Sequence, residues 1–222
     1  MKIDIVTLFP KMFDGFLSES IISRAIKSKL VEVNIHNLRD YTTYNHNQVD
    51  ATPYGGGAGM VLMVEPVYNA LSALKTKDSL TIMLTPGGIT HNQQFAKSLI
   101  NEKHIILLCG HYEGFDERIK KYVDVLVSIG DYVLTGGEIP AMVISDSVIR
   151  LISGVIKEES HEKESFSNNV LDYPIYTKPR IFDNMEVPEV LLSGHHKNIE
   201  NYRIKEALRL TKENRPDLLK EN

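Results

Sequence analysis

The 222 residues are 42% hydrophobic and 24% charged, a balance that supports a buried core and excludes a disordered or low-complexity chain. The formal net charge of -4 argues against a protein that coats nucleic acid through a uniformly basic surface, so basic patches have to be sought locally. No apolar run is long enough to span a membrane, and residues 1–4 lead into a strand pattern with no export signal. Cys109 is the lone cysteine, which excludes an intrachain disulfide and fits a cytoplasmic location.

In chain order, residues 2–9 (KIDIVTLF) read as a strand that ends at Pro10. Residues 21–30 carry apolar side chains at helical spacing, and 31–36 (VEVNIH) alternate as a strand does. A polar loop over 41–52 leads to the glycine cluster 53–60 (PYGGGAGM), and 65–74 read as a helix. Residues 80–85 (LTIMLT) form a short apolar strand closed by Pro86-Gly87-Gly88, followed by a helix over 92–100 and a strand over 105–109. A short helix over 116–122 precedes an apolar strand over 123–127, and 141–152 again has helical spacing. Strands that alternate with helices predict an α/β fold with a mostly parallel sheet covered on both faces. The strand ends near Pro86, Gly110 and Gly130 then share one sheet edge. Residues 157–169 (KEESHEKESFSNN) are polar and read as a linker. Beyond it, 199–212 read as a helix, with Ile204, Ala207 and Leu208 toward a core and Lys205, Arg209 and Lys212 on another face.

The stretch 128–140 (SIGDYVLTGGEIP) lies between a strand and a helix start, with Pro140 at the first helical position. It describes either a ligand crevice or a loop whose glycines only turn the chain. The Tyr54-to-Gly59 loop lacks the Lys-Ser/Thr of a P-loop and reads as a segment lying close to a ligand. The histidines lack zinc companions, so no zinc site is expected, and Cys109 reads as a packed core residue. Arg150 follows Asp146 by four residues, either as a helical ion pair or as a cation at the crevice mouth. Glu158, Glu159, Glu162 and Glu164 are solvated linker charges, or one of them is a general base. From Gly194 onward seven Lys/Arg face five Asp/Glu, a local basic excess suited to a phosphate backbone.

Together with LFPKMF at 8–13, RDY at 39–41, PYGGGAGM at 53–60, CGHYEGFDERI at 109–119, YTKP at 176–179 and VPEVLLSGHH at 187–196, the 128–140 stretch closely resembles the bacterial tRNA (guanine-N1)-methyltransferases of the SPOUT superfamily. The resemblance implies a parallel-sheet SPOUT domain with a deep trefoil knot over 1–156, a flexible linker over 157–172 and a small helical tRNA-binding domain over 173–222. It implies a cytoplasmic homodimer, with no membrane association, that methylates N1 of guanosine-37 of tRNA with S-adenosylmethionine. The positions matching the methyl-donor site are Leu84, Thr85, Pro86, Gly110, Tyr112, Glu113, Ser128, Ile129, Gly130, Asp131, Tyr132, Val133, Leu134, Gly136, Gly137 and Pro140. Gly59, Lys205, Arg209 and Lys212 are the candidate tRNA contacts. The family arginine matches Arg150, which would stabilise charge on guanine O6. The family's catalytic aspartate context matches 162–166 (EKESF), which puts Glu164 at the base position, exposed and ionised before tRNA arrives. The resemblance also raises magnesium, for which the sequence shows no dedicated cage. Other implied readings are a knotted RNA methyltransferase with another target base and a non-catalytic RNA-binding homologue.

Overall fold

The computed structural model describes residues 1–156, 164–166 and 168–219. The chain divides into two compact units, Met1–Ile156 and Lys157–Asn222. The first holds β1 (Lys2–Thr7), α1 (Asp14–Ser18), α2 (Ser20–Lys27), β2 (Glu32–Asn37), β3 (Asp50–Ala51), β4 (Val61–Leu62), α3 (Val64–Leu74), β5 (Ser79–Thr90), α4 (Gln93–Leu99), β6 (His104–Leu108), β7 (Val125–Ser128) and α5 (Glu138–Ile149). Five strands form one sheet in the order β2-β1-β6-β5-β7, and every pairing is parallel. β3 and β4 make a separate antiparallel pair.

Side-chain alternation along the strands builds two cores. Ile3, Ile5, Ile105 and Leu107 pack with Ile22, Ala25, Ala96, Leu99, Ala141, Ile144 and Val148 of α2, α4 and α5. Val6, Ile106, Leu108 and Met83 pack with Val67, Ala70 and Leu71 of α3 on the other side. β6, central and wholly buried, is apolar apart from His104 because both of its faces are covered. Strand order reverses as the chain steps from β5 back to β6 and then out to β7. The carboxyl ends of these three strands therefore meet at a switch point, where α/β proteins open a crevice.

Three local expectations change. β5 does not stop at Pro86 but runs to Thr90, with a register shift between Leu84 and Ile89 against β7. The irregularity takes Pro86 out of the ladder, so its missing N–H costs no pairing. α5 begins at Glu138 with Gly137 as its cap, which puts Pro140 third in the helix. A proline there is tolerated because first-turn N–H groups have no intrahelical acceptor. The short helix after Asp116 is a 3-10 segment, Glu117–Tyr122.

The second unit contains the hairpin β8 (Ile181–Phe182) and β9 (Met185–Glu186), then α6 (Glu189–Leu192) and α7 (His196–Asn214), and closes with a 3-10 turn, Pro216–Leu219. Ala207 and Thr211 are the buried face of α7. Ile204 and Leu208, expected in a core, are 54% and 40% exposed in this structure. The Thr211 hydroxyl donates to Ala207 O at 2.7 Å and accepts from Leu171 N at 2.9 Å. The later part of the expected linker is thereby tied to α7, and Asp172 N also donates to Ser165 Oγ at 2.9 Å. Residues 157–163 of that linker, with Glu158, Glu159 and Glu162, lie outside the described residues.

Candidate active site

A cavity of about 430 Å³ opens beside the irregularity of β5 and the carboxyl ends of β6 and β7. Leu84, Thr85 and Pro86 supply one wall, and Gly110, Tyr112 and Glu113 a second. Ser128, Ile129, Gly130, Tyr132, Val133, Leu134, Gly136, Gly137 and Pro140 supply a third. Asp131, expected with them, does not line it. His111, Phe115, Asp116, Glu117 and Lys120 do line it and were missed, although the same loop carries their neighbours.

The loops are held by short contacts. Gly137 N donates to Gly110 O at 2.7 Å. A Cβ on Gly137 would stand 2.6 Å from Cys109 Cα and 2.8 Å from Gly110 N, so only glycine lets these two backbones meet. Ser128 Oγ accepts from Gly130 N at 3.2 Å and donates to Gly130 O at 3.1 Å, which closes the turn after β7. The Tyr132 hydroxyl donates to Ile129 O at 3.1 Å. Glu113 N donates to Met60 O at 3.0 Å. A Cβ on Gly59 would meet Glu113 Oε1 at 2.5 Å, so the glycine loop touches the cavity wall through Gly59. His111 packs at a tilt against Phe9 with ring centroids 4.7 Å apart and meets Tyr112 edge-on at 5.1 Å.

Two electrostatic features flank the cavity. Glu138, buried in the first turn of α5, accepts from Thr7 Oγ at 2.7 Å and ties the end of β1 to that helix. Burial, and then the nearby Glu138 charge, push the Cys109 thiol well above its ordinary range, so this cysteine is an inert core group. Asp116 accepts from Arg118 at 2.8 and 2.7 Å, and these hydrogen bonds hold its carboxyl below the usual value.

The remaining predicted residues lie elsewhere. Arg150 follows the last residue of α5 and does not line the cavity. Ten residues of helix separate it from Pro140, roughly 15 Å along the axis. Within one chain Arg150 is therefore not a lining residue of this cavity. Glu164 lies in the second unit and is half-buried rather than exposed. Lys205, Arg209 and Lys212 share a face of α7, but Arg209 is clamped by Glu206 at 2.8 Å and Glu213 at 2.7 Å. Among the described residues no group of three or more His, Cys, Asp or Glu is placed to hold a metal ion, and no helix is long and apolar enough to cross a membrane.

A parallel sheet whose glycine-rich loops border a cavity of this size defines an α/β protein with a cavity of small-ligand dimensions at its switch point. The family follows from comparison with known proteins. The model of the tRNA (Guanine-1)-methyltransferase TrmD family matches residues 1–221. Proteins described as tRNA (guanine-N(1)-)-methyltransferase are similar over nearly the whole chain. That of Malacoplasma penetrans is 55% identical, with 100% of both chains covered. That of Ureaplasma urealyticum serovar 10 is 54% identical over 98% of this chain and 96% of its own. That of Carboxydothermus hydrogenoformans is 54% identical over 99% of this chain and 88% of its own. The chain belongs to the tRNA (guanine-1)-methyltransferase family and is a methyltransferase enzyme.

Proposed function

We propose that the protein methylates N1 of guanosine-37, the nucleoside 3′ of the tRNA anticodon, with S-adenosylmethionine as the methyl donor. The observation that carries this reading is the convergence of the LTP, GHYEG and SIGDYVLTGG loops on one cavity, in a chain that matches the family over 1–221. The residues fit the donor. Leu84, Pro86, Ile129 and Leu134 provide apolar surface, the loop backbones provide amides and carbonyls for an adenine edge, and Glu113 supplies a carboxylate. When bound, S-adenosylmethionine supplies an electrophilic methyl group on a sulfonium. Glu113 offsets that positive charge.

Two further groups complete the chemistry. Guanine N1 carries a proton at neutral pH, and Glu164 takes it, so that the pair left on N1 accepts the methyl group. Negative charge grows on O6 as the proton leaves, and Arg150 stabilises it. Arg150 stands far from the cavity of its own chain, which supports a homodimer in which one protomer's cavity meets its partner's Arg150. A trefoil knot over 1–156 is part of this proposal, and what supports it is the family to which the chain belongs. We place the enzyme in the cytoplasm. The described residues form no cluster suited to magnesium, and no step is assigned to a metal.

Glu164→Gln keeps the size of the side chain and removes the base. It is expected to leave S-adenosylmethionine binding by calorimetry unchanged and to cut methyl transfer to tRNA by roughly 10²–10⁴-fold. Glu162→Gln is the control. A wild-type rate for Glu164→Gln together with a slow Glu162→Gln would move the base to Glu162.

A further inference from the structure

Among the described residues of the first unit, Asp4 and Glu138 are the buried carboxylates, at 0% and 1% exposure. Their surroundings differ. Asp4 meets Lys2, His36, His104 and Asn34. Glu138 accepts from the Thr7 hydroxyl at 2.7 Å, and among the described residues no Lys, Arg or His pairs with it. It stands in the first turn of α5, where the helix dipole suits a negative charge. A buried carboxylate without a cationic partner is costly to keep, so such a charge calls for a cation from elsewhere.

The cavity lies next to it. Gly136, Gly137 and Pro140, on either side of Glu138 in sequence, all line the cavity. A Cβ on Gly136 would stand 2.4 Å from Glu138 Oε2 and 2.6 Å from His111 Cδ2. Bare glycine backbone is therefore what separates this carboxylate from the ligand space. The charge already acts on a neighbour, since after burial it is the second cause that raises the Cys109 thiol. The carboxylates that line the cavity are placed differently. Asp116 pairs with Arg118 at 2.7 Å and Glu117 with Lys120 at 2.6 Å. Glu113 is exposed, where water and salt weaken its field. Glu138 is the carboxylate beside the cavity that neither a partner nor solvent screens.

We propose that Glu138 is a specificity residue for the methyl donor. Its buried charge, acting across Gly136, favours the cationic sulfonium of S-adenosylmethionine over the neutral thioether of S-adenosylhomocysteine. Transfer of the methyl group removes the positive charge, so the residue that holds the donor also lets the product leave. Glu138 touches neither the donor nor the guanine and acts through its field. The inference rests on S-adenosylmethionine being the donor, as proposed above.

Glu138→Gln keeps the size of the side chain and an oxygen for the Thr7 hydroxyl, and removes the charge. Calorimetry on the full chain compares S-adenosylmethionine, S-adenosylhomocysteine and sinefungin, which carries an amine cation in place of the sulfonium. The variant is expected to bind S-adenosylmethionine and sinefungin roughly tenfold more weakly than wild type, and S-adenosylhomocysteine within about twofold, as a charge–charge interaction across several ångströms of protein requires. Glu138→Asp keeps the charge and should keep the wild-type ratio of the S-adenosylmethionine and S-adenosylhomocysteine dissociation constants, even if its melting temperature falls. An equal loss for all three ligands in Glu138→Gln would make Glu138 a structural residue and overturn the inference, and so would wild-type affinities for all three. If Glu138→Gln does not fold, Glu138→Asp decides, and a tenfold change in its ratio overturns the inference. In each of these cases wild type still binds S-adenosylmethionine and the donor reading stands. A wild-type chain that binds neither S-adenosylmethionine nor S-adenosylhomocysteine overturns the donor reading and this inference together.

Discussion

Asp4 is the most heavily committed charge in the first unit, and it lies apart from the cavity. It is fully buried, accepts from Asn34 Nδ2 at 3.0 Å, and pairs with Lys2 at 2.8 Å, His104 at 2.8 Å and His36 at 3.2 Å. Burial alone would raise its carboxyl, but the contacts from Lys2, Asn34 and His104, with His36 Nε2 close by, outweigh burial and bring it from 3.8 down to about 2. A carboxyl lowered by folding stabilises the native state above its unfolded value and loses that contribution as pH falls through the folded value. Asp4 therefore stabilises the enzyme fully above about pH 4, and the contribution fades toward pH 2. Asp4→Asn is expected to cost on the order of 2 kcal/mol at neutral pH. The gap between variant and wild type should close as urea midpoints are followed from pH 4 to pH 2. A gap that stays constant over that range would show that the Asp4 charge is not what the network stabilises.

Among elements, the junction of β6 with α5 is the most demanding. Gly137 has an ordinary negative φ, so its need for glycine is purely a matter of space. Gly137→Ala would press a methyl group against the backbone of Cys109 and Gly110, and it is expected to cost about 1–3 kcal/mol and to weaken S-adenosylmethionine binding. Calorimetry and thermal melts would check this, and wild-type values for both would show that the junction yields easily. The parallel sheet and its helices were legible in the sequence because the buried strands, HIILL above all, read as apolar runs between helical patterns. The passage of β5 beyond Pro86 was not, because a register shift leaves no mark in composition. The LTP, GHYEG and SIGDYVLTGG loops were legible because glycines cluster at strand ends. His111 and Lys120 were missed because a loop histidine, or a lysine on a short 3-10 segment, has the same local pattern whether it faces a cavity or solvent. On α7, periodicity put Ile204, Ala207 and Leu208 inward, and the structure buries Ala207, together with Thr211, but leaves Ile204 and Leu208 exposed. Spacing alone cannot say which side of a short amphipathic segment a small unit covers.

For the whole molecule, the proposed reaction needs the cavity of the first unit, Arg150 at the far end of α5, and Glu164 in the second unit to act together. A shared site makes a prediction about mixtures. Arg150→Ala and Glu164→Gln subunits, each inactive alone, should regain part of the wild-type rate when unfolded together and refolded into mixed dimers, provided the two residues at one site come from different chains, because one of the two sites then holds both intact residues. No recovery would place them on the same protomer, and a fully active monomer by sedimentation would end the shared-site reading. The central claim is the position of the methyl group. The direct measurement is to incubate unmodified tRNA with the enzyme and S-adenosylmethionine, digest the product and separate the nucleosides by mass spectrometry, with fragments mapped along the tRNA. The account predicts one N1-methylguanosine per tRNA, at position 37, and none when that guanosine is replaced. A methyl group on another atom or at another nucleotide, or none at all, would contradict it.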